Sequence, residues 1–68
     1  MQKYIERMFT EQKDLEGKIK KAKAALENPP YGSDEKGLKM LAEQVKSMEL
    51  YLNCLTERIK YEEGKNGN

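Results

Sequence analysis

The feature that most constrains this chain is a pair of apolar stripes with four-three spacing, separated by Pro29-Pro30. In the first half the stripe comprises Met1, Ile5, Met8, Leu15, Ile19, Ala22 and Leu26, and Gln12 completes its spacing. In the second half it runs without a polar interruption through Leu38, Leu41, Val45, Met48, Leu52, Leu55 and Ile59. This spacing is typical of the face of a helix that packs on another helix. We call the two stripes together the seam.

The segment between the stripes predicts a reversal of chain direction. Pro29 and Pro30 cannot continue a helix, and Ser33 or Asp34 can cap the next one. We therefore expect an antiparallel helical hairpin over residues 1–63, with helix 1 at about 2–27, a turn at 28–34 and helix 2 at about 35–63. Residues 64–68 have no apolar anchor and are predicted to form a disordered tail.

The seam also allows a prediction of which residues face each other. One register pairs Ile5 with Leu55 and Met8 with Leu52, and it continues through Leu15 with Val45 and Ile19 with Leu41. A slip of seven residues would pair Met8 with Ile59. We expect the first register, because a hairpin in the slipped register would need a tighter turn than the two prolines allow.

Length and composition predict self-association. A chain of 68 residues, of which 37% are apolar, buries little surface in one core. Its only cysteine is Cys54 and it has no histidine, so disulfides, metals and cofactors are not expected. Helix 2 carries apolar side chains outside the seam, among them Tyr51, and four of these lie on neighbouring rows of the helix. We call these four the apolar row: Met40, Leu50, Cys54 and Tyr61. We predict an all-α, coiled-coil-like hairpin that assembles into a homo-oligomeric helical bundle and buries Cys54 as a structural thiol.

The net charge, the hydropathy pattern and the single cysteine limit which partners and which cellular location are expected for this chain. The net charge is +1, so strong steering toward DNA is not expected. No apolar stretch is long enough to predict a membrane span, and the N-terminus does not resemble a signal peptide. A single unpaired thiol is typical of a reducing compartment, which predicts a cytoplasmic protein.

Catalysis is not expected, because histidine is absent and the carboxylates fall on faces predicted to be solvated.

Two places in the hairpin could bind an anion. Four lysines within residues 18–23 either form a solvated helix face or hold an anion. At the open end of the hairpin, Tyr4, Arg7, Arg58 and Tyr61 either form a tyrosine–arginine stack or grip a phosphate and stack a base.

Two further patterns bear on the alignment of the helices. Gln12, the polar member of the seam, is interpreted as a device that sets the register, with a ligand contact as the alternative. Residues beside the seam repeat every seven positions, which predicts the contacts Tyr4 with Arg58, Glu11 with Tyr51, and Lys18 with Gln44.

The stretch from Tyr4 to Met8, together with Glu11, Leu15, Lys18, Ile19 and Leu26, resembles a family of very small helical-hairpin proteins. The resemblance continues through Leu41, Gln44, Met48, Tyr51, Leu55, Arg58 and Ile59. The family is encoded by bacteriophages and prophages, including crAss-like phages. It is similar in architecture to the hairpin domain of phage sponge proteins, which oligomerise and sequester the signalling nucleotides of the CBASS and Thoeris defences. The double proline departs from the family pattern.

The resemblance implies a non-enzymatic phage anti-defence protein in the cytoplasm of a host bacterium. Its ligand would be a cyclic nucleotide or a cyclic ADP-ribose-type molecule, held by Tyr4, Arg7, Lys18, Tyr51 and Arg58. One alternative is a protein–protein inhibitor or adaptor, such as an anti-CRISPR or a binder of host machinery, that docks through the apolar row. Another is a structural bundle without a ligand.

Overall fold

A computed structural model of the protein describes residues 3–66, which form an all-α hairpin of two helices. Helix α1 spans Lys3–Glu27 and helix α2 spans Glu35–Asn66. The two helices pack against each other in a rod of 51 × 15 × 14 Å. The predicted antiparallel hairpin is therefore confirmed for the described residues.

Helix α2 continues three residues beyond its predicted end, through Gly64, Lys65 and Asn66. A basic residue in the last turn interacts favourably with the carbonyl groups at the C-terminal end of a helix. Lys65 has this position, and its Nζ lies 6.0 Å from the centre of the Tyr61 ring. The predicted disordered tail thus differs from the structure at 64–66, and residues 67 and 68 lie outside the described residues, as do residues 1 and 2.

The turn contains the cap that starts α2. Asp34 is the capping residue, because its Oδ1 accepts a hydrogen bond from the backbone N–H of Gly37 at 2.8 Å. Ser33 instead donates through its hydroxyl to the carbonyl oxygen of Pro30 at 2.7 Å. Gly32 has a φ of +89°, a conformation that glycine adopts without steric cost.

The core consists of seam residues from both helices. The buried side chains are Ile5, Met8, Leu15, Ile19, Val45, Leu55 and Ile59. Near the open end one cluster joins Met8 to Leu55 and Ile59, with Phe9 packed against it. Nearer the turn a second cluster joins Leu15, Ile19 and Val45, flanked by Ala22, Leu26, Met48 and Leu52. A single layer of contacts therefore holds the hairpin together.

The register that we favoured from the sequence is wrong. Met8 packs with Leu55 and Ile59, whereas Leu52 belongs to the cluster nearer the turn. Relative to the favoured register, α2 is displaced along α1 by about one to two turns, toward the slipped alignment. Leu15 and Val45 still share a cluster, because each side chain in the seam contacts residues on two turns of the other helix.

The prolines explain the displacement. Residues that precede a proline are held in extended geometry, in which the chain rises about 3 Å per residue, twice the rise of a helix. Asn28 and Pro29 both precede a proline, so the segment after α1 extends past the C-terminal end of that helix before the chain turns. Helix α2 therefore starts beyond the end of α1, and the slipped alignment needs a longer connection instead of a tighter one.

Within residues 3–66, no helix combines the length and the apolar character needed to cross a membrane.

Candidate functional site

The residues predicted to bind a ligand lie along one edge of the hairpin. On α1, Tyr4, Glu11 and Lys18 recur every seven residues, and on α2 Gln44, Tyr51 and Arg58 do the same. Arg7 lies one turn from both Tyr4 and Glu11. All of these side chains are exposed. We call this set the tyrosine face: Tyr4, Arg7, Glu11, Lys18, Gln44, Tyr51 and Arg58.

The predicted contact between Glu11 and Tyr51 is confirmed. The Tyr51 hydroxyl donates a hydrogen bond to Glu11 Oε1 on the opposite helix. This bond raises the pKa of Tyr51 above its ordinary value, because it stabilises the protonated hydroxyl, and desolvation and the charge of Glu11 act in the same direction. Arg58 acts against them by favouring the ionised form. The bond holds the tyrosine ring in place while half of the residue stays exposed.

The Tyr4 hydroxyl also donates to a carboxylate on the other helix, but not beside the residue that we expected. Its acceptor is Glu62 Oε1 at 2.7 Å, one turn beyond the predicted neighbour Arg58. The displacement of α2 along α1 accounts for this change of partner. The ring remains 39% exposed, so both predicted stacking residues have a tethered hydroxyl and an accessible ring.

The three cations of the predicted site are not gathered at one point of the single hairpin. Arg7 lies near Tyr4, one turn along α1, whereas Lys18 lies about three turns beyond Arg7 toward the closed end. The bond between Tyr4 and Glu62 places these two residues level with each other, so Lys18 lies about 15 Å along the axis from Arg58. The predicted contact of Lys18 with Gln44 stays a prediction.

Gln12 is engaged within the hairpin. Its side-chain N–H donates to the Thr56 hydroxyl of α2 at 3.0 Å, and both residues are half-buried. Sequence reasoning identified Gln12 as a register device but missed Thr56, which lies beside the seam. The bond crosses the two helices and so favours the observed alignment, in agreement with the register interpretation.

Two shallow clefts lie away from the tyrosine face. One, of about 320 Å³, lies beside the turn and is lined by residues that include Ala25, Pro30, Asp34 and Leu38. The other, of about 330 Å³, is on the opposite edge, where Lys23 Nζ forms an ion pair with Glu49 Oε2 at 2.6 Å. The lysine cluster of residues 18–23 is thus divided, because Lys18 lies on the tyrosine face and Lys20 and Lys23 line this second cleft.

The apolar row is exposed in the hairpin. Met40, Leu50 and Tyr61 are 61%, 68% and 66% exposed, and Cys54 is an exposed free thiol. The single hairpin thus leaves Cys54 exposed, and its burial, which was expected in the oligomer, stays a prediction. The thiol lies outside the seam, so packing of α1 on α2 cannot cover it.

Among the residues that the structure describes, no group of three or more Asp, Glu, Cys or His side chains could hold a metal ion.

Comparison with the curated proteins gives no significant match, and neither does comparison with solved structures. A family model, that of Sequestin, matches residues 2–61. This match includes α1, the turn, α2 as far as Tyr61 and every residue of the tyrosine face. The chain therefore belongs to the Sequestin family.

Proposed function

We propose that this protein is a non-enzymatic phage anti-defence protein that sequesters a nucleotide immune signal in the cytoplasm of the host. The family name denotes sequestration, which supports a role in binding and retaining a molecule. The mechanism is competition, because a messenger that is bound tightly by this protein is withheld from the host effector. Oligomers of the hairpin would form the pocket.

The observation that carries this proposal is the construction of the tyrosine face. Tyr4 and Tyr51 each donate a hydroxyl hydrogen bond across the hairpin to a carboxylate, and each keeps an exposed ring. A ring fixed in this way loses little conformational freedom when it stacks on a base. A tyrosine hydroxyl is protonated at neutral pH, and the bond to Glu11 raises the pKa of Tyr51 further, so the tether persists.

The cations of the tyrosine face would bind the phosphate groups of the nucleotide, in addition to the stacking of its base on a tyrosine. Arg7 and Arg58 present planar guanidinium groups that can form paired hydrogen bonds with phosphate oxygens, and Lys18 adds a further positive charge. Each lies on the same exposed face as a tyrosine. Base stacking beside phosphate contacts is the pairing that a small cyclic nucleotide requires. Binding without turnover agrees with the absence of histidine from the sequence.

Calorimetric titration tests the proposal with a panel of cyclic dinucleotides, cyclic trinucleotides and cyclic ADP-ribose isomers. We expect at least one of them to bind, and we expect Arg58→Ala to weaken that affinity by about tenfold or more, since a charge-assisted hydrogen bond is lost. Lys60→Ala is the matched control. Lys60 is an exposed cation two residues away that pairs with Glu57 at 3.4 Å, so its removal should leave affinity unchanged. Absence of binding to every member of the panel would refute the proposal.

A second candidate, a protein–protein inhibitor or adaptor, is favoured by the exposure of Met40, Leu50 and Tyr61. In that case the apolar row would dock into a groove of a host protein. Light scattering of the purified protein separates the two candidates. A closed oligomer that hides the row supports sequestration between copies, whereas a monomer with the row exposed supports the adaptor.

A further inference from the structure

Helix α2 carries a second complete row with four-three spacing. We call it the outer row: Met40, Gln44, Ser47, Tyr51, Cys54, Arg58, Tyr61 and Lys65. Every one of these residues is exposed in the hairpin. The spacing equals that of the seam, which is the spacing of a helix that packs on another helix. Helix α2 is therefore built for two helical neighbours, and α1 covers only one side of it.

Helix α1 has no comparable row. The equivalent positions on α1 include Arg7, Asp14 and Lys21 and are mostly charged. Charged residues are depleted from the centres of protein interfaces, whereas tyrosine and methionine are enriched there. An interface at the outer row would therefore be made by α2, and α1 would lie at its periphery.

We propose that the outer row is the self-association face of this protein, and that α2 packs antiparallel on α2 of a second copy around a two-fold axis at Tyr51. The inference deepens the proposed function and rests on it, because it identifies how the copies meet to form the binding pocket. A two-fold interface is self-complementary, so each residue of the row must meet a chemically suitable residue of the same row.

The residues of the outer row from Met40 to Tyr61 satisfy that requirement. With Tyr51 at the axis, Met40 meets Tyr61, Gln44 meets Arg58, and Ser47 meets Cys54 of the second copy. Each contact joins like with like in size or polarity, since an apolar residue meets an aromatic ring, an amide meets a guanidinium and two small side chains meet. From Met40 to Tyr61 the row reads symmetrically outward from Tyr51, and Lys65 lies beyond the last pair, opposite Gly37 of the second copy.

Other pairings of the same row are less complementary. With Cys54 at the axis, Tyr51 would meet Arg58, but the small Ser47 would meet the large Tyr61, Gln44 would meet Lys65, and the apolar Met40 would have no counterpart in the row. A parallel pairing would place Arg58 against Arg58 and Lys65 against Lys65. Like charges in direct opposition are unfavourable, which favours the antiparallel arrangement over the parallel one.

The area available suits a dimer of hairpins. The exposed parts of Tyr51 and Tyr61, at 50% and 66%, correspond to roughly 200 Å² per chain. A standard interface buries about 800 Å² per partner, and the six other residues of the outer row and their neighbours are available for the remainder. The hairpin core is a single layer of seven buried side chains, so a second layer would supply burial that a chain of this length lacks.

The two-fold axis has a consequence for the tyrosine face. An axis perpendicular to both α2 helices keeps the two α1 helices on the same side of the pair, which creates a groove between them. Gln44, Tyr51 and Arg58 of each copy line its floor, and α1 forms its walls. Since Arg58 of the second copy lies level with Gln44, it comes within about one to two turns of Lys18 along the axis, although the single hairpin holds these two cations about 15 Å apart.

Disulfide trapping tests the proposal with the native Cys54 as the probe. In the variant Ser47→Cys, each new thiol would face Cys54 of the second copy, whereas within one chain the two residues lie two turns apart, too far for a disulfide. The control is Lys46→Cys, which places a thiol on the adjacent residue but about 100° away around the helix. Both positions are exposed, so both variants should fold.

Under mild oxidation we expect about tenfold more covalent dimer from Ser47→Cys than from Lys46→Cys or the parent protein. Equal cross-linking of the two variants would overturn the proposed face. Efficient cross-linking of the parent would overturn the register, because it would place Cys54 at the axis. A monomer in sedimentation equilibrium of the parent would overturn the association itself.

Nucleotide titration separates this inference from the proposed function. A trapped Ser47→Cys dimer that binds no nucleotide would refute sequestration and leave the interface standing. Nucleotide binding by a protein that fails to cross-link and sediments as a monomer would refute the interface and leave sequestration standing. Binding by the trapped dimer with parental affinity supports both.

Discussion

Two glycines at different positions in the helices should respond differently to the same substitution. Gly17 lies within α1 with open space around it, so a Cβ there meets no atom within 4 Å. Alanine is favoured over glycine in a helix by about 0.5–1 kcal/mol, so Gly17→Ala should raise the free energy of unfolding by about that amount. Gly37 lies in the first turn of α2, where a Cβ would come within 2.7 Å of Asp34 Oδ1.

The contact at Gly37 opposes the helix preference. The Asp34 carboxylate accepts the hydrogen bond of the Gly37 N–H that caps α2, and the added methyl group would push it away. Loss of a cap costs about 1 kcal/mol, which cancels the gain. Gly37→Ala should therefore leave stability within about 0.5 kcal/mol of the parent. In an Asp34→Ala background the cap is already absent, so Gly37→Ala should there stabilise by about 0.5–1 kcal/mol.

Urea unfolding followed by helical circular dichroism measures all four variants. Each is compared at one fixed protein concentration, because association would otherwise shift the apparent stability. The double-mutant cycle should return a coupling of about 1 kcal/mol between Asp34 and Gly37. If Gly37→Ala stabilises the parent protein as much as Gly17→Ala does, the Asp34 carboxylate does not cap α2 through the Gly37 N–H.

Three further predictions concern the core, the seam and the tyrosine face. Leu55→Ala should lower the free energy of unfolding by about 2 kcal/mol or more because it empties a buried position, and the exposed Asn53→Ala should change it by less than about 0.5 kcal/mol in the same urea titration. Gln12→Leu should raise the midpoint of thermal unfolding, because an apolar side chain suits a half-buried seam position better; a lower midpoint would show that the bond to Thr56 outweighs burial. In an absorbance titration the pKa of Tyr51 should lie above the ordinary value of a tyrosine, and Glu11→Gln should move it back toward that value. Because the folded pKa is raised, its contribution to stability is complete below about pH 10 and is lost as the pH rises through the folded value.

Periodicity was sufficient to predict both helices and the core. All seven buried side chains belong to the seam, since four-three spacing directly reports which face of a helix is covered. The contact of Glu11 with Tyr51 was also predictable, because residues flanking a seam adjoin across an antiparallel pair. The apolar row was identified as surplus to one seam, and the hairpin exposes it.

The alignment of the helices was not predictable from periodicity alone. A repeat of seven permits slips of a whole heptad with the same apolar pattern, and the path of the turn decides among them. The extended geometry that a proline favours in the residue before it accounts for an α2 that starts beyond the end of α1, which brings Tyr4 level with Glu62. The partner of Gln12 was missed for the same reason, since Thr56 becomes its neighbour only in the displaced alignment.

The central claim is that this protein binds a signalling nucleotide and keeps it intact. The most direct measurement incubates the protein with the nucleotide that binds in calorimetry, removes the protein-bound fraction by filtration and then denatures the retained protein by heat. We predict that free nucleotide disappears from the filtrate and returns chemically unchanged, in full amount, after denaturation. Recovery of a cleaved product, or a filtrate whose nucleotide content the protein never lowers, would contradict the claim.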